Sequence, residues 1–276
     1  MKTIPVNLHT HTERCNHAVG DDQDYVEAAI AAGIQTLGFS DHVPMPYRNH
    51  FHSHIRMGVN ELPDYTASIL SLKEAYRGRI EILLGYEAEY DAELFPEMIR
   101  ELSQYPFDYL IFGAHFIDNE YAGFYAGSET GDEKRLSAYV RNVVAGISTG
   151  VYTYLAHPDL IFYTGPDKIY EKYMRQICLA AKEADLPLEI NLNGYRYHRN
   201  YPDERFFALA KEYENTIVLG FDAHNPDLFS DPDPIKKAEA LIQRLDLTVT
   251  DEIPIIDPHR RLRLTRTSCG NEEQST

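Results

Sequence analysis

The sequence predicts a single-domain α/β protein whose parallel strands close into a (β/α) barrel. Three observations point there. Seven short apolar runs of strand length alternate with segments whose apolar residues recur at helical spacing, the pattern of a parallel sheet covered by helices. Most of those runs are followed at once by a histidine or a carboxylate, and in a barrel the residues just past each strand meet at one mouth. The chain has 276 residues and 43% hydrophobic content, enough for one large core, with no internal repeat or low-complexity linker to mark a boundary.

In chain order, the expected strands are residues 4–8, 36–39, 80–84, 109–112, 152–155, 187–190 and 216–219. Several are continuously apolar rather than alternating, as strands buried on both faces should be. Helices are expected over 24–32, 64–76, 133–148, 167–184, 203–213 and 234–245. The connection 43–61 is longer than an ordinary loop, rich in His, Pro, Arg and Met, and opens directly from His42, so it is expected to cover the site. From residue 257 the chain turns polar and basic; residues 1–256 are taken as the domain and 257–276 as a loosely held tail.

The formal net charge of −17 argues against nucleic acid as a bulk partner and favours a small substrate. Cys15, Cys178 and Cys269 are odd in number and widely spaced, in a chain without a signal-peptide pattern, which suits a reducing cytoplasm. No apolar stretch approaches bilayer-spanning length, so no membrane partner is expected. Oligomeric state is not legible.

The chemistry-bearing residues sit at the ends of the apolar runs. His9 and His11 follow the first, Asp222 and His224 the last, and His42, Glu87, His115 and His157 follow runs between them, with His17 close by. Residues two apart on a strand point to one side, so each end pair can grip one ion. A lone H-x-H arises by chance, but the recurrence along the chain points to one polynuclear site. Imidazole and carboxylate together favour Zn, Mn or Fe, and the scarcity of cysteine argues against a structural zinc cluster. Nine donors over-supply a single ion; two or three ions sharing Glu87 as a bridge are more economical.

Together, His9-x-His11 with His17, Ser40-Asp41-His42, Gly85-x-Glu87, His115, His157-Pro158 and Asp222-x-His224 resemble the polymerase-and-histidinol-phosphatase (PHP) domain family. The resemblance implies a distorted seven-stranded (β/α) TIM-like barrel with three divalent ions. By it, His9, His11, Glu87 and Asp222 hold one ion, Glu87, His115 and His157 a second, and His17, His42 and His224 the third. Asp41 is placed behind these groups, orienting His42 or a neighbour; the alternative is a cap on the adjoining segment. Cys15 reads as a packed thiol.

Within that family the chain is similar to the monofunctional histidinol-phosphate phosphatases, on Ser40-Asp41-His42-Val43-Pro44, Ile55-Arg56-Met57, Glu61-Leu62, Tyr65, Glu189-Ile190-Asn191, Gly194-Tyr195-Arg196 and Tyr201-Pro202. Leu192 and Asn193 depart from the small residues usual there. The resemblance implies hydrolysis of L-histidinol phosphate to L-histidinol and phosphate by a hydroxide generated between cations, with Asp222 and His224 as candidate proton-handling groups. Arg196, just past the sixth run, is assigned to the substrate phosphate, whose oxygens match a guanidinium fork; Arg199 and Arg56 are further candidates. His198 reads as a loop residue, and His50, His52 and His54 as lining the entrance. Two competing readings remain: a phosphoesterase for nucleotides or nucleic-acid ends, and a metal-binding module without catalysis.

Overall fold

The computed structural model describes residues 4–48 and 51–258, so most of the expected tail, and His50 of the long connection, lie outside the described residues. Strands β1 (Val6–Asn7), β2 (Thr36–His42), β3 (Glu81–Ala88) and β4 (Tyr109–Phe112) form a parallel sheet in that order. Next comes an antiparallel hairpin of β5 (Phe116–Ile117) and β6 (Phe124–Tyr125). Strands β7 (Leu188–Asn191) and β8 (Ile217–Gly220) pair in parallel.

The ring closes through single residues. Leu155 bridges Phe112 on one side and Leu188 on the other, both in parallel, so the run 152–155 acts as a stave without forming a continuous strand. Thr10 bridges Ala223, with His11 N donating to Ala223 O at 3.0 Å and Ala223 N to His9 O at 3.2 Å, which joins the first stave to the last. The expected first strand shrinks to two residues, in part because Pro5 has no N–H to offer the ladder. The result is a barrel of seven staves, two of them reduced to fragments.

Among the described residues eight α-helices accompany it: α1 (Asp22–Ala32), α2 (Leu62–Ala75), α3 (Phe95–Leu102), α4 (Glu133–Ile147), α5 (Asp167–Glu183), α6 (Leu192–Arg196), α7 (Glu204–Glu212) and α8 (Pro232–Leu245). Six match the expected helices; α3, α6 and the hairpin were not expected. Their ends are chemically marked. Asp21 N is bonded by Asp24 at 3.0 Å where α1 begins, and Gly33 at φ 80° ends it. Asp132, Asp203 and Asp231 cap α4, α7 and α8, each accepting a backbone N–H of the first turn.

The side chains pack in two layers. Inside the ring, Leu8, Tyr109, Ile111, Tyr154, Ala156 and Val218 fill the barrel, and the Tyr109 hydroxyl donates to Leu8 O (2.8 Å) and faces Phe39 O (3.1 Å), satisfying its polar tip within the apolar interior. Outside, a continuous core joins strands to helices, each fully buried Leu, Ile or Phe contributing about 1.5–3 kcal/mol. The barrel's lower end is thus solid, and polar side chains collect at the ends of the staves. Among the described residues no helix is long and apolar enough to cross a membrane.

Candidate metal centre

The mouth of the barrel is organised around one carboxylate. Glu87, at the end of β3, is almost fully buried. Its Oε2 lies 3.0 Å from His42 Nδ1 and 3.5 Å from both His9 Nε2 and His11 Nε2. Its Oε1 lies 2.8 Å from His157 Nε2 and 3.4 Å from His115 Nε2. Asp222 forms a second focus: Oδ1 is 3.1 Å from His11 Nε2, 3.2 Å from His224 Nδ1 and 3.5 Å from His9 Nε2. The His224 ring stacks on His11 with centroids 4.0 Å apart and lies 4.4 Å from His17. All nine sequence-predicted positions therefore meet at one place.

The local backbone explains how. The strand-alternation argument for the end pairs does not describe the geometry, because β1 stops at Asn7 and β8 at Gly220. Asp222 (φ 50°) and His157 (φ 26°) instead occupy left-handed conformations, a costly choice for residues with a side chain that turns each group into the mouth. Gly113 is needed beside them. A Cβ there would collide with the Glu87 carboxylate and the His115 ring. Gly113→Ala is therefore expected to displace Glu87 and to destabilise the protein by about 1–3 kcal/mol, read as a lower denaturation midpoint. An unchanged midpoint with full metal content would contradict this close approach.

The electrostatics are those of a cation site. Burial opposes ionisation of Glu87, yet the histidines around it, His115, His42 and His9 foremost, hold its carboxyl well below the usual range. Asp222 is likewise held low despite burial, by His9 and His224. Burial opposes charge on His11 as well, but Asp222, Asp41 and Glu87 push it up to about 9. His17, through burial and the neighbouring His224, falls to about 4. Glu87, Asp222, Glu189 and Asp41 are buried with no Lys or Arg paired to them among the described residues. Such a concentration of negative charge needs cations.

The donor atoms fit that need. His9 Nε2, His11 Nε2, His42 Nδ1, His224 Nε2 and Glu87 Oε2 are buried without a hydrogen bond. Among the sets of ligand atoms that cluster within bonding reach of a common ion are His9, Glu87 and His157; His9, His11 and Asp222; and His11, His42 and His224. Imidazole nitrogen with carboxylate oxygen suits Zn, Mn or Fe.

Supporting groups lie behind them. Asp41 Oδ1 is 3.4 Å from His11 Nδ1 and accepts from His42 N at 2.8 Å, and Asp41 also takes the Thr12 hydroxyl. Sequence reasoning gave no site role to Glu189, which bonds His9 Nδ1 at 2.8 Å and His157 N at 3.0 Å, or to Asn191 and Asn193, which reach Asp222 Oδ2 at 3.1 and 3.3 Å. Glu189 fits only because residue 220 is glycine, where a Cβ would overlap its carboxylate. A charged residue inside the apolar run 187–190 was the available signal.

A cavity of about 590 Å³ opens over the histidines, walled by Phe116, Tyr125, Tyr197 and Tyr201, with Arg199 on its rim. Among the described residues no carboxylate pairs with Arg199. The other two candidate arginines are engaged elsewhere. Arg196 is bonded at 2.8 Å to Asp231 Oδ2, whose other oxygen caps α8, and it does not line the cavity. Arg56 is buried against Glu89, Glu120 and Val43 O, also away from the cavity lining. His198 is exposed, as are His52 and His54; the long connection reaches the cavity through Ile55 instead. Cys15 is buried near His17 and His224.

Residues 7–193 match the PHP domain family. The chain belongs to that family. A protein of Deinococcus radiodurans named "Probable histidinol-phosphatase" is 31% identical over 231 residues, covering 79% of this chain and 85% of that one. The histidinol-phosphatase of Bacillus subtilis is 28% identical over 247 residues, covering 78% and 92%. The solved structure of Lactococcus lactis histidinol phosphate phosphatase, complexed with Zn, L-histidinol and phosphate, shares the fold at a TM-score of 0.70. It is 20% identical, and the alignment covers 91% of this chain and 98% of that one. The PHP-type distorted barrel expected from the sequence is therefore the fold of this protein.

Proposed function

We propose that this protein is a divalent-metal-dependent phosphomonoesterase that hydrolyses L-histidinol phosphate to L-histidinol and phosphate. The observation that carries this reading is the convergence of seven histidines and two carboxylates beneath a cavity walled by aromatic rings, with an uncommitted arginine at its rim. The named relatives support the substrate. Three ions are proposed. His9, His11, Glu87 and Asp222 would hold the first, Glu87, His115 and His157 the second, and His42, His224 and His17 the third, with the His11 ring beside the third set.

Bound there, divalent cations supply Lewis acidity, which acidifies water near neutral pH and offsets phosphoryl charge. The chain's own part is placement. Glu87 and Asp222 are held well below the usual carboxylate range, so neither keeps a proton to donate to the leaving alkoxide. His224 is also held below its usual range, by burial and the neighbouring His11, which leaves a water beside it as the donor. Arg199 takes the phosphate role first assigned to Arg196, since it alone of the three arginines borders the cavity. Phe116, Tyr125 and Tyr201 present an apolar wall suited to the imidazolylpropyl part of the substrate while excluding water.

Stripping and reconstitution test the metal reading. Chelator treatment should abolish phosphate release, and adding back Zn, Mn or Fe should restore it in proportion to bound metal, saturating at three equivalents. Undiminished turnover by metal-free protein would overturn the proposal.

A further inference from the structure

Arg56 has a role that phosphate binding does not account for. Its side chain is only 1% exposed and reaches three elements at once. Nε donates to Glu120 Oε2 at 2.7 Å, Nη1 to Val43 O at 3.2 Å, and Nη2 to Glu89 Oε1. Glu120 stands in the turn joining β5 to β6 and also accepts from Ser53 Oγ (2.6 Å) and Tyr47 OH (3.0 Å). Aromatic contacts reinforce the junction: Tyr47 meets Phe51 and Tyr121 edge-on, with centroids 5.2 and 5.8 Å apart. Glu89, two residues beyond Glu87, places Oε1 3.3 Å from His115 Nδ1.

One arginine lies between two partly buried carboxylates, and His115 is the next group that Glu89 meets. That ring has Nε2 3.4 Å from Glu87 Oε1 and Nδ1 3.3 Å from Glu89 Oε1, the latter an ionic approach rather than a hydrogen bond. A carboxylate at Nδ1 selects the tautomer that carries its proton there and leaves Nε2 free to ligate. The neighbours of these groups form the cavity: Ile55 precedes Arg56 and Phe116 follows His115, and both line it. We propose that Glu120, Arg56 and Glu89 form a positioning relay, in which the hairpin turn fixes the arginine, the arginine fixes Glu89, and Glu89 sets the His115 ring. Seating of segment 51–58 on the hairpin and ligand geometry at the second ion then become one event. This inference rests on the metal-dependent reading above.

The test uses the full-length, metal-loaded protein and a residue that touches none of the nine ligands. Glu120→Gln should speed loss of one metal equivalent to a chelator by about tenfold, and Glu89→Gln by about ten- to a hundredfold, the range for groups that orient metal ligands. Far-UV circular dichroism should not change. In the double variant the Glu120→Gln effect should largely vanish, because its path through Glu89 is already cut. Additive effects, or a Glu120→Gln rate within twofold of the parent, would overturn the relay while leaving the metal-dependent reading intact. A parent chain that holds no metal would overturn both. If Glu120→Gln does not fold, Tyr47→Phe, which removes one hydroxyl from Glu120, is judged by the same criterion with an expected increase of at least threefold.

Discussion

Glu87→Gln is expected to lower phosphatase turnover by about a thousandfold or more, equivalent to about 4 kcal/mol of transition-state stabilisation, while leaving the barrel folded. The size comes from position. Five histidines face the two Glu87 oxygens at 2.8 to 3.5 Å, and no other carboxylate is shared so widely among the described residues. An amide of the same shape removes the bridging charge and turns an N–H₂ group toward donor atoms that must accept a cation. Metal analysis should show fewer bound equivalents, and circular dichroism an unchanged fold. Turnover within tenfold of the parent, with full metal content, would remove Glu87 from its central place in the site.

The second large effect separates two arginines three residues apart. Arg199→Ala should reduce kcat/KM by about a hundred- to a thousandfold, the scale of a lost charge-assisted contact to a phosphoryl group. Arg196→Ala should change it by no more than about threefold and destabilise the protein by less than about 1 kcal/mol, since its partner Asp231 is only partly buried. The reverse ranking would restore Arg196 to the phosphate.

The difference between these arginines shows what sequence reasoning lacked. Both lie beyond the same apolar run, and nothing in their spacing distinguishes them. The distinction is made by α6, which spans five residues and ends at Arg196, and by His198, whose φ of 51° redirects the chain so that Arg199 comes round to the cavity. It is also made by Asp231, a helix cap 35 residues away in sequence whose free oxygen engages Arg196. Such long-range commitments leave no periodic trace.

The positions that converge at the mouth were legible for the opposite reason. Most sit just past an apolar run, and barrel closure gathers run ends regardless of whether a run becomes a continuous strand. Residues 152–155 illustrate this: Leu155 alone holds the place of a stave, yet His157 still arrives beside Glu87. The supporting carboxylates were only half visible. Glu89 repeats the Glu87 position two residues on, and Glu189 interrupts an apolar run, but neither signal says which histidine it will face. The loop histidines were expected to line the entrance, but His52 and His54 are exposed and do not line the cavity, to which the connection contributes Ile55.

The central claim is that this site is built for L-histidinol phosphate, and side-by-side phosphate release tests it most directly. kcat/KM should be measured for L-histidinol phosphate, a nucleoside monophosphate and an aryl phosphate with one metal-loaded preparation. The expected result is a preference for L-histidinol phosphate of about a thousandfold or more, since a cavity matched to both the phosphate and the imidazole-bearing end gains transition-state binding that the other esters cannot reach. Comparable rates on all three, or a preference for the nucleotide, would contradict it.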